Sequence, residues 1–175
     1  MVLVRTVKMA MDQRISRRAT LTALGALTLA ATASGWAQQR ATRARVGFVS
    51  WFNPWQSAQI DPLREGLREL GWVEGRNLEL EAHFTQGNET RTRQALQSLI
   101  DRKFDVLVVR ATNVAHLAKE MTRTVPTVML VADPLATGLV RSLSRPEGNL
   151  TGLSLQGPDL AGKRLEYLRH LMPNV

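Results

Sequence analysis

Three of the nine aromatic residues in this chain of 175 fall within five positions, in Ser50-Trp51-Phe52-Asn53-Pro54-Trp55. Such a cluster could form a stacking surface for a planar or apolar ligand, or its indole rings could simply cover the end of a sheet. Two more segments carry binding chemistry. In Arg110-Ala111-Thr112-Asn113, Thr and Asn open a helical stretch whose first backbone N–H groups suit a carboxylate or another anion, although capping explains Thr112 equally well. Arg110 could pair with an anion or remain a solvated strand end. In Ala132-Asp133-Pro134 the carboxylate either caps a helix ahead of proline or faces an ammonium group. These are capacities for holding a ligand, not for transforming it.

Covalent chemistry has little to work with. The absence of cysteine excludes a disulfide framework, a thiolate metal site, a cysteine nucleophile and an acylated N-terminal cysteine. His83, His116 and His170 are isolated, with neither carboxylate nor second histidine at ligand spacing, so they read as ordinary surface or core histidines. A dinucleotide-binding enzyme would need a glycine-rich loop after its first strand, and Ser50-Trp51-Phe52-Asn53-Pro54 has none. No catalytic constellation emerges, and no cofactor or metal is expected.

The elements that must position these segments alternate along the chain. Val46-Gly47-Phe48-Val49 reads as a buried strand, followed by a helix with Asp61 as cap, Pro62 at its first position and Leu63, Leu67 and Leu70 on one face until Gly71. Leu78, Leu80, Ala82 and Phe84 alternate with Glu79, Glu81 and His83, which marks a half-exposed strand at a sheet edge. Asn88 and Thr90 open a helix carrying Leu96, Leu99 and Ile100, and the all-apolar Val106-Leu107-Val108-Val109 reads as a central strand. Thr112 is expected to cap a third helix with Val114, Leu117, Ala118 and Met121 inward, and Thr127-Val128-Met129-Leu130-Val131 is another buried strand. Asp133-Pro134 predicts a short fourth helix, Arg145-Pro146-Glu147-Gly148-Asn149 a turn, and Leu150-Thr151-Gly152-Leu153-Ser154-Leu155 a fifth strand. A last helix, capped by Asp159, carries Leu160, Leu165, Leu168, Leu171 and Met172. Strands joined through helices require right-handed crossovers and a doubly wound parallel α/β sheet of order 2-1-3-4-5. In such a sheet the ligand sits at the carboxyl ends of the strands, which is where the three polar segments fall.

The N-terminal stretch reads differently. Basic residues Arg5, Lys8, Arg14, Arg17 and Arg18 precede an apolar run from Leu21 to Ala33 and a small-x-small site closing on Ala37. This is the pattern of a cleavable export signal over residues 1–37, with Arg17 and Arg18 as a twin-arginine pair and Gln38 as the mature N-terminus. An uncleaved anchor is the alternative, but Thr, Ser and Gly dilute the run's hydrophobicity. The full chain carries 23 Lys+Arg against 15 Asp+Glu. Removing the leader takes five and one of these and leaves a net +4 without a basic stripe, which argues against a nucleic-acid partner. The expected product is a soluble periplasmic domain of 138 residues.

An ordered series of short motifs then points further. Gly66-Leu67-Arg68-Glu69-Leu70-Gly71-Trp72-Val73-Glu74-Gly75-Arg76-Asn77, Phe104-Asp105-Val106-Leu107-Val108, Val125-Pro126-Thr127-Val128, Asp133-Pro134-Leu135-Ala136-Thr137-Gly138-Leu139-Val140, Arg145-Pro146-Glu147-Gly148-Asn149-Leu150-Thr151-Gly152 and Lys163-Arg164-Leu165-Glu166 run through the mature chain. The series resembles the ABC-transporter substrate-binding protein family, of type I periplasmic-binding-protein architecture, which includes binders of aromatic amino acids. The resemblance implies two α/β lobes closing over a small solute that is passed to a permease in the inner membrane, with no chemistry performed. It makes residues 38–44 a linker, 45–156 an N-terminal ligand-binding lobe and 157–175 a connecting helix toward a second lobe that this chain lacks, so that the product reads as truncated. The candidate contacts with the solute, read from the segments after the first, third and fourth strands, are Trp51, Phe52, Asn53, Ala111, Thr112, Asn113 and Asp133. Where family members commonly have Gly-Thr or a similar small pair after the third strand, this sequence has Ala111-Thr112, preceded by Arg110. The rival reading is a periplasmic ligand-sensing module serving a membrane signalling receptor; a transcription regulator would bring a helix-turn-helix in place of the leader.

Overall fold

The computed structural model describes residues 2–23, 43–56, 60–146, 148–155 and 160–172, with the side chains of residues 14–23 excepted. Five strands, β1 (Ala44–Ser50), β2 (Leu78–Phe84), β3 (Val106–Arg110), β4 (Thr127–Val131) and β5 (Leu150–Ser154), form one sheet of order β2-β1-β3-β4-β5. Every neighbouring pair is parallel, as the expected topology requires. The most apolar strands, β3 and β4, are buried along nearly their whole length, because a parallel strand under crossover helices has both faces covered. At the edge, β2 buries only Leu78 fully, and Glu79, Glu81 and His83 reach the surface.

Two apolar layers enclose the sheet. On one face α3 (Glu89–Asp101) and α4 (Thr112–Met121) bury Leu96, Leu99, Val114, Leu117 and Ala118 against Val49, Leu107, Val109 and Met129. Helix α3 starts where Asn88 accepts a hydrogen bond from the Arg91 N–H with its side chain at 2.9 Å, so this predicted cap is in place. On the other face α2 (Ile60–Glu69) buries Leu63 and Leu67 against Val46, Phe48, Val106 and Val108. Gly71, at φ 88°, turns the chain out of α2, a conformation open to glycine without penalty.

The same face is completed by α1 (Val2–Ala23), whose Val4, Val7, Ala10 and Met11 are buried among the α2 and strand side chains. The stretch read as the basic part of an export signal is therefore helical and packed on the sheet. Arg17 and Arg18 belong to the part of α1 whose side chains are outside the described residues, and Ala37 lies outside them altogether. Among the described residues no helix is long and apolar enough to cross a membrane.

Three local expectations are corrected. No helix follows Asp133: residues 134–138 form a turn, in which the Asp133 carboxylate accepts from the Leu135 and Ala136 N–H groups at 3.0 and 2.9 Å. Asp133 does cap, but Gly138 at φ 69° ends the turn before a helix can propagate. Thr112 is the first residue of α4 and not its cap; Ala111 holds that position, without a side-chain hydrogen bond. Finally, α5 (Ala161–Leu171) starts from Leu160, and Asp159 lies outside the described residues.

Candidate functional site

Parallel register brings the carboxyl ends of all five strands to one rim. Ser50 pairs with Phe84 on one side and Arg110 on the other, Arg110 with Leu130, and Val131 with Ser154. Hydrogen bonds then tie the first residues beyond the strands together. The Trp51 N–H donates to the Arg110 carbonyl at 3.3 Å, the Ala111 N–H to the Leu130 carbonyl at 3.2 Å, and the Ser154 hydroxyl to the Ala132 carbonyl at 2.9 Å. The segments after β1, β3 and β4 are thus joined in space as well as aligned.

The aromatic cluster divides into three roles. Trp51 is half-buried and packs against the α3/α4 layer, while its carbonyl accepts from the Gly87 N–H at 2.8 Å, so it covers the sheet end. Phe52 lies on the rim at 36% exposure and carries the Arg110 guanidinium 4.3 Å from its ring centroid, a cation–π stack. Trp55, in a single 3-10 turn (Pro54–Gln56), is 78% exposed and contributes nothing to the packed rim. Asn53 is half-buried between them.

Arg110, for which the sequence left open an anion partner or a solvated strand end, stands at the centre of this rim. Partial burial pushes its pKa below the usual guanidinium value, since desolvation penalises the charged form, yet an arginine remains fully protonated at any physiological pH. The result is a poorly hydrated, planar cation on the rim, a form well suited to bidentate recognition of a carboxylate. Its signal in the sequence was a charged residue ending an otherwise apolar strand.

Beside it begins α4. Its first intrahelical bond runs from the Ala115 N–H to the Ala111 carbonyl at 3.1 Å, so the Thr112 and Asn113 amides precede the hydrogen-bonded ladder. The Asn113 side chain accepts from the Val114 N–H at 3.0 Å. Ala111 adopts φ 107°, ψ 149°, a region that a residue with a Cβ enters only under strain. Asp133 is half-buried at the same rim with its carboxylate engaged by its own turn. Of the expected contact residues, Phe52 stacks on Arg110 and Trp51 is hydrogen-bonded to its carbonyl, Ala111, Thr112 and Asn113 follow it in the chain at the start of α4, Asn53 follows Phe52, and Asp133 lies in the turn after β4.

A groove of about 690 Å³ lies elsewhere, lined by His116, Lys119, Arg123, Val140, Asn149 and Leu150 among others. It opens between the far half of α4 and the start of β5, at the opposite end of the sheet from the rim. Lys119, its central cation, is already bonded to the Gly138 and Leu139 carbonyls at 3.1 and 2.9 Å. The Asn149 amide likewise donates to the Thr122 and Val125 carbonyls at 3.1 and 2.7 Å, so both groups serve the packing of backbone, and the strand-end rim is the better candidate.

Comparison with known proteins identifies the family and the fold. Residues 53–175 match the family described as ABC transporter substrate binding protein. The chain is 30% identical over 123 residues to a tyrosine-binding protein of Clostridioides difficile strain R20291, an alignment covering 66% of this chain and 34% of that protein. Among solved structures it is similar to a conserved domain protein from Vibrio cholerae O1 biovar El Tor, with 33% identity, a TM-score of 0.69, and coverage of 76% of this chain and 45% of the other. It also shares the fold of an ABC domain from Streptococcus pneumoniae solved with L-Trp, at 24% identity and a TM-score of 0.59, with coverage of 64% and 38%. The chain therefore spans between about a third and a half of each relative's length. On the match over residues 53–175 and the five-stranded parallel sheet in the order 2-1-3-4-5, this chain belongs to the ABC transporter substrate-binding protein family.

Proposed function

We propose that this protein is the solute-binding component of an ABC-type uptake system, acting in the periplasm after export, and that its solute is an amino acid, with an aromatic one preferred. The observation that carries this reading is the rim itself: a stacked Arg110–Phe52 pair beside the uncapped start of α4. Arg110 and the Thr112 and Asn113 amides offer two sources of positive potential to an α-carboxylate. Phe52 and Asn53 offer an apolar face and an amide to the side chain, and Asp133, in the turn after β4, offers a carboxylate to the ammonium group. The tyrosine-binding relative and the L-Trp complex support the choice of solute class. Nothing in this arrangement activates a nucleophile, so the solute is released unchanged to the permease.

A small ligand held tightly has about 70–90% of its surface buried. These strand ends form one open rim, so binding by this chain alone is expected to be weak, with a Kd of roughly 1 mM, or about −4 kcal/mol. Calorimetry with L-tyrosine and L-tryptophan, set against tyramine and tryptamine, tests the assignment. Binding of the amino acids at least tenfold tighter than the decarboxylated amines is expected. Equal binding of both sets, or none by either, would remove the carboxylate-anchoring role and the reading with it.

A further inference from the structure

Three hydroxyl groups are buried together at the carboxyl ends of β1 and β2: Ser50 ends β1, Thr85 follows β2, and Thr92 reaches them from α3. Alanine or valine would fill such positions without the cost of taking a hydroxyl out of water, so what sets these residues apart is the hydrogen bonds they make. The Thr92 hydroxyl lies 2.8 Å from both the Thr85 hydroxyl and the Asn88 carbonyl. The Thr85 hydroxyl donates in turn to the Ser50 carbonyl at 3.2 Å, alongside the Thr85 N–H at 2.9 Å.

Two successive peptide planes are held in consequence. In the first, the Ser50 carbonyl accepts from Thr85 and the Trp51 N–H donates to the Arg110 carbonyl at 3.3 Å. In the second, the Trp51 carbonyl accepts from the Gly87 N–H at 2.8 Å and the Phe52 N–H donates to the Ser50 hydroxyl oxygen at 3.3 Å. A planar peptide bonded at both its oxygen and its hydrogen has little freedom to swing, so the Cα of Phe52 is fixed from both sides. Of these four backbone groups, only the Phe52 N–H relies on a side chain for its partner. Ser50 is also the register partner of Arg110, and the short turn that its hydroxyl closes brings the Phe52 ring to 4.3 Å from the Arg110 guanidinium. A long arginine side chain gives up rotamer freedom in such a stack, and a ring with a fixed root spares the further cost of ordering the loop.

We propose that Ser50 is the positioning residue of the rim, on the reading of that rim as the solute's site. Its buried hydroxyl, backed by the Thr85–Thr92 pair, sets Phe52 against Arg110 and so fixes the direction in which the guanidinium meets the solute's carboxylate. Ser50 is itself fully buried and acts only through Phe52.

The Arg110 Nε–H proton tests this in the full chain without any solute, because the Phe52 ring current displaces its NMR shift and Phe52→Ala sets the undisplaced value. Ser50→Ala is expected to remove most of that displacement while the melting temperature falls by no more than about 5 °C. Ser50→Thr keeps the acceptor and is expected to keep the displacement. Full displacement in Ser50→Ala, equal loss in both variants, or a chain that Ser50→Ala unfolds would overturn the proposal and leave the three hydroxyls as architecture alone. Titration of L-tyrosine into the same samples should then show affinity weakened about threefold or more in Ser50→Ala and restored in Ser50→Thr. Affinity unchanged in Ser50→Ala also overturns the proposal. If the unaltered chain takes no L-tyrosine, the solute reading fails, and the Arg110 shift still judges the hold of Ser50 on Phe52 by itself.

Discussion

Two arginine–phenylalanine stacks stand at opposite ends of the same sheet and serve different ends. At the amino ends of the strands, Phe104 is buried with the Arg45 and Arg102 guanidiniums 4.3 and 5.0 Å from its ring centroid. Both cations are also held by carboxylates, Arg45 by Glu79 at 3.0 Å and Arg102 by Glu81 at 2.7 Å. The buried Asp105 carboxylate accepts from the Arg45 N–H at 2.9 Å, fixing β1 against the start of β3. At the carboxyl ends, the Arg110–Phe52 stack lies on an exposed ring beside a strained helix start. The first assembly closes the fold through neutralised charge and buried surface, and the second lies at the exposed rim where we propose that a solute sits. The same pair of residue types therefore reads as architecture or as recognition according to what surrounds it.

Substitution of the two rings separates these roles most sharply. Phe104→Ala is expected to cost about 3–5 kcal/mol of stability, because it empties a fully buried site beneath two cations. Phe52→Ala should cost less than about 1 kcal/mol, since its ring is partly in water, and chemical denaturation of both variants measures the contrast. Next in size is Arg110→Ala: affinity for an amino acid should fall at least tenfold, about 1.4 kcal/mol, with global stability changed by no more than about 0.5 kcal/mol. A thermal shift without loss of affinity would make Arg110 part of the architecture after all.

Ala111→Gly is expected to stabilise the chain by about 1 kcal/mol, by relieving the strain at φ 107° that glycine accepts freely. An unchanged denaturation midpoint would mean that the packing of the Ala111 methyl against the α3/α4 layer offsets the strain. The smallest effect concerns acid. Hydrogen bonds from Arg45 and Arg102 hold the Glu79 and Glu81 carboxyls below the usual carboxylate range. Their contribution is thus present above the unfolded pKa of about 4.3 and is lost as pH falls through the lower folded values. The melting temperature should decline as pH falls below about 4, and less steeply in Arg102→Gln, whereas the Arg110 stack should leave that profile unchanged.

Much of this architecture was legible because parallel strands announce themselves as short apolar runs. Val106-Leu107-Val108-Val109 and Thr127-Val128-Met129-Leu130-Val131 can only be central, and the alternation from Leu78 to Phe84 can only be an edge. The site was legible to the extent that strand ends define it. What escaped was set by tertiary context. Asp133-Pro134 has the chemistry of a helix start, yet a helix also needs room to propagate, and Gly138 closes the segment into a turn. Ala111 gives no sign that it will adopt a glycine-like conformation, because that is imposed by β3 and α4 on either side. The seating of α1 had a visible cue in the spacing of Val4, Val7 and Met11, which was overshadowed by the basic residues around it.

The claim on which the functional reading depends is that the carboxyl-end rim, and no other surface, takes the solute. Titration of L-tyrosine into isotope-labelled protein, followed by backbone amide shifts, tests it directly. Perturbations are expected at Phe52, Asn53, Ala111, Thr112, Asn113 and Asp133, with the Glu79, Arg102 and Phe104 amides unmoved. Shifts confined to the groove around His116, Lys119 and Arg123, or conversion of the amino acid into a new species during the titration, would contradict it.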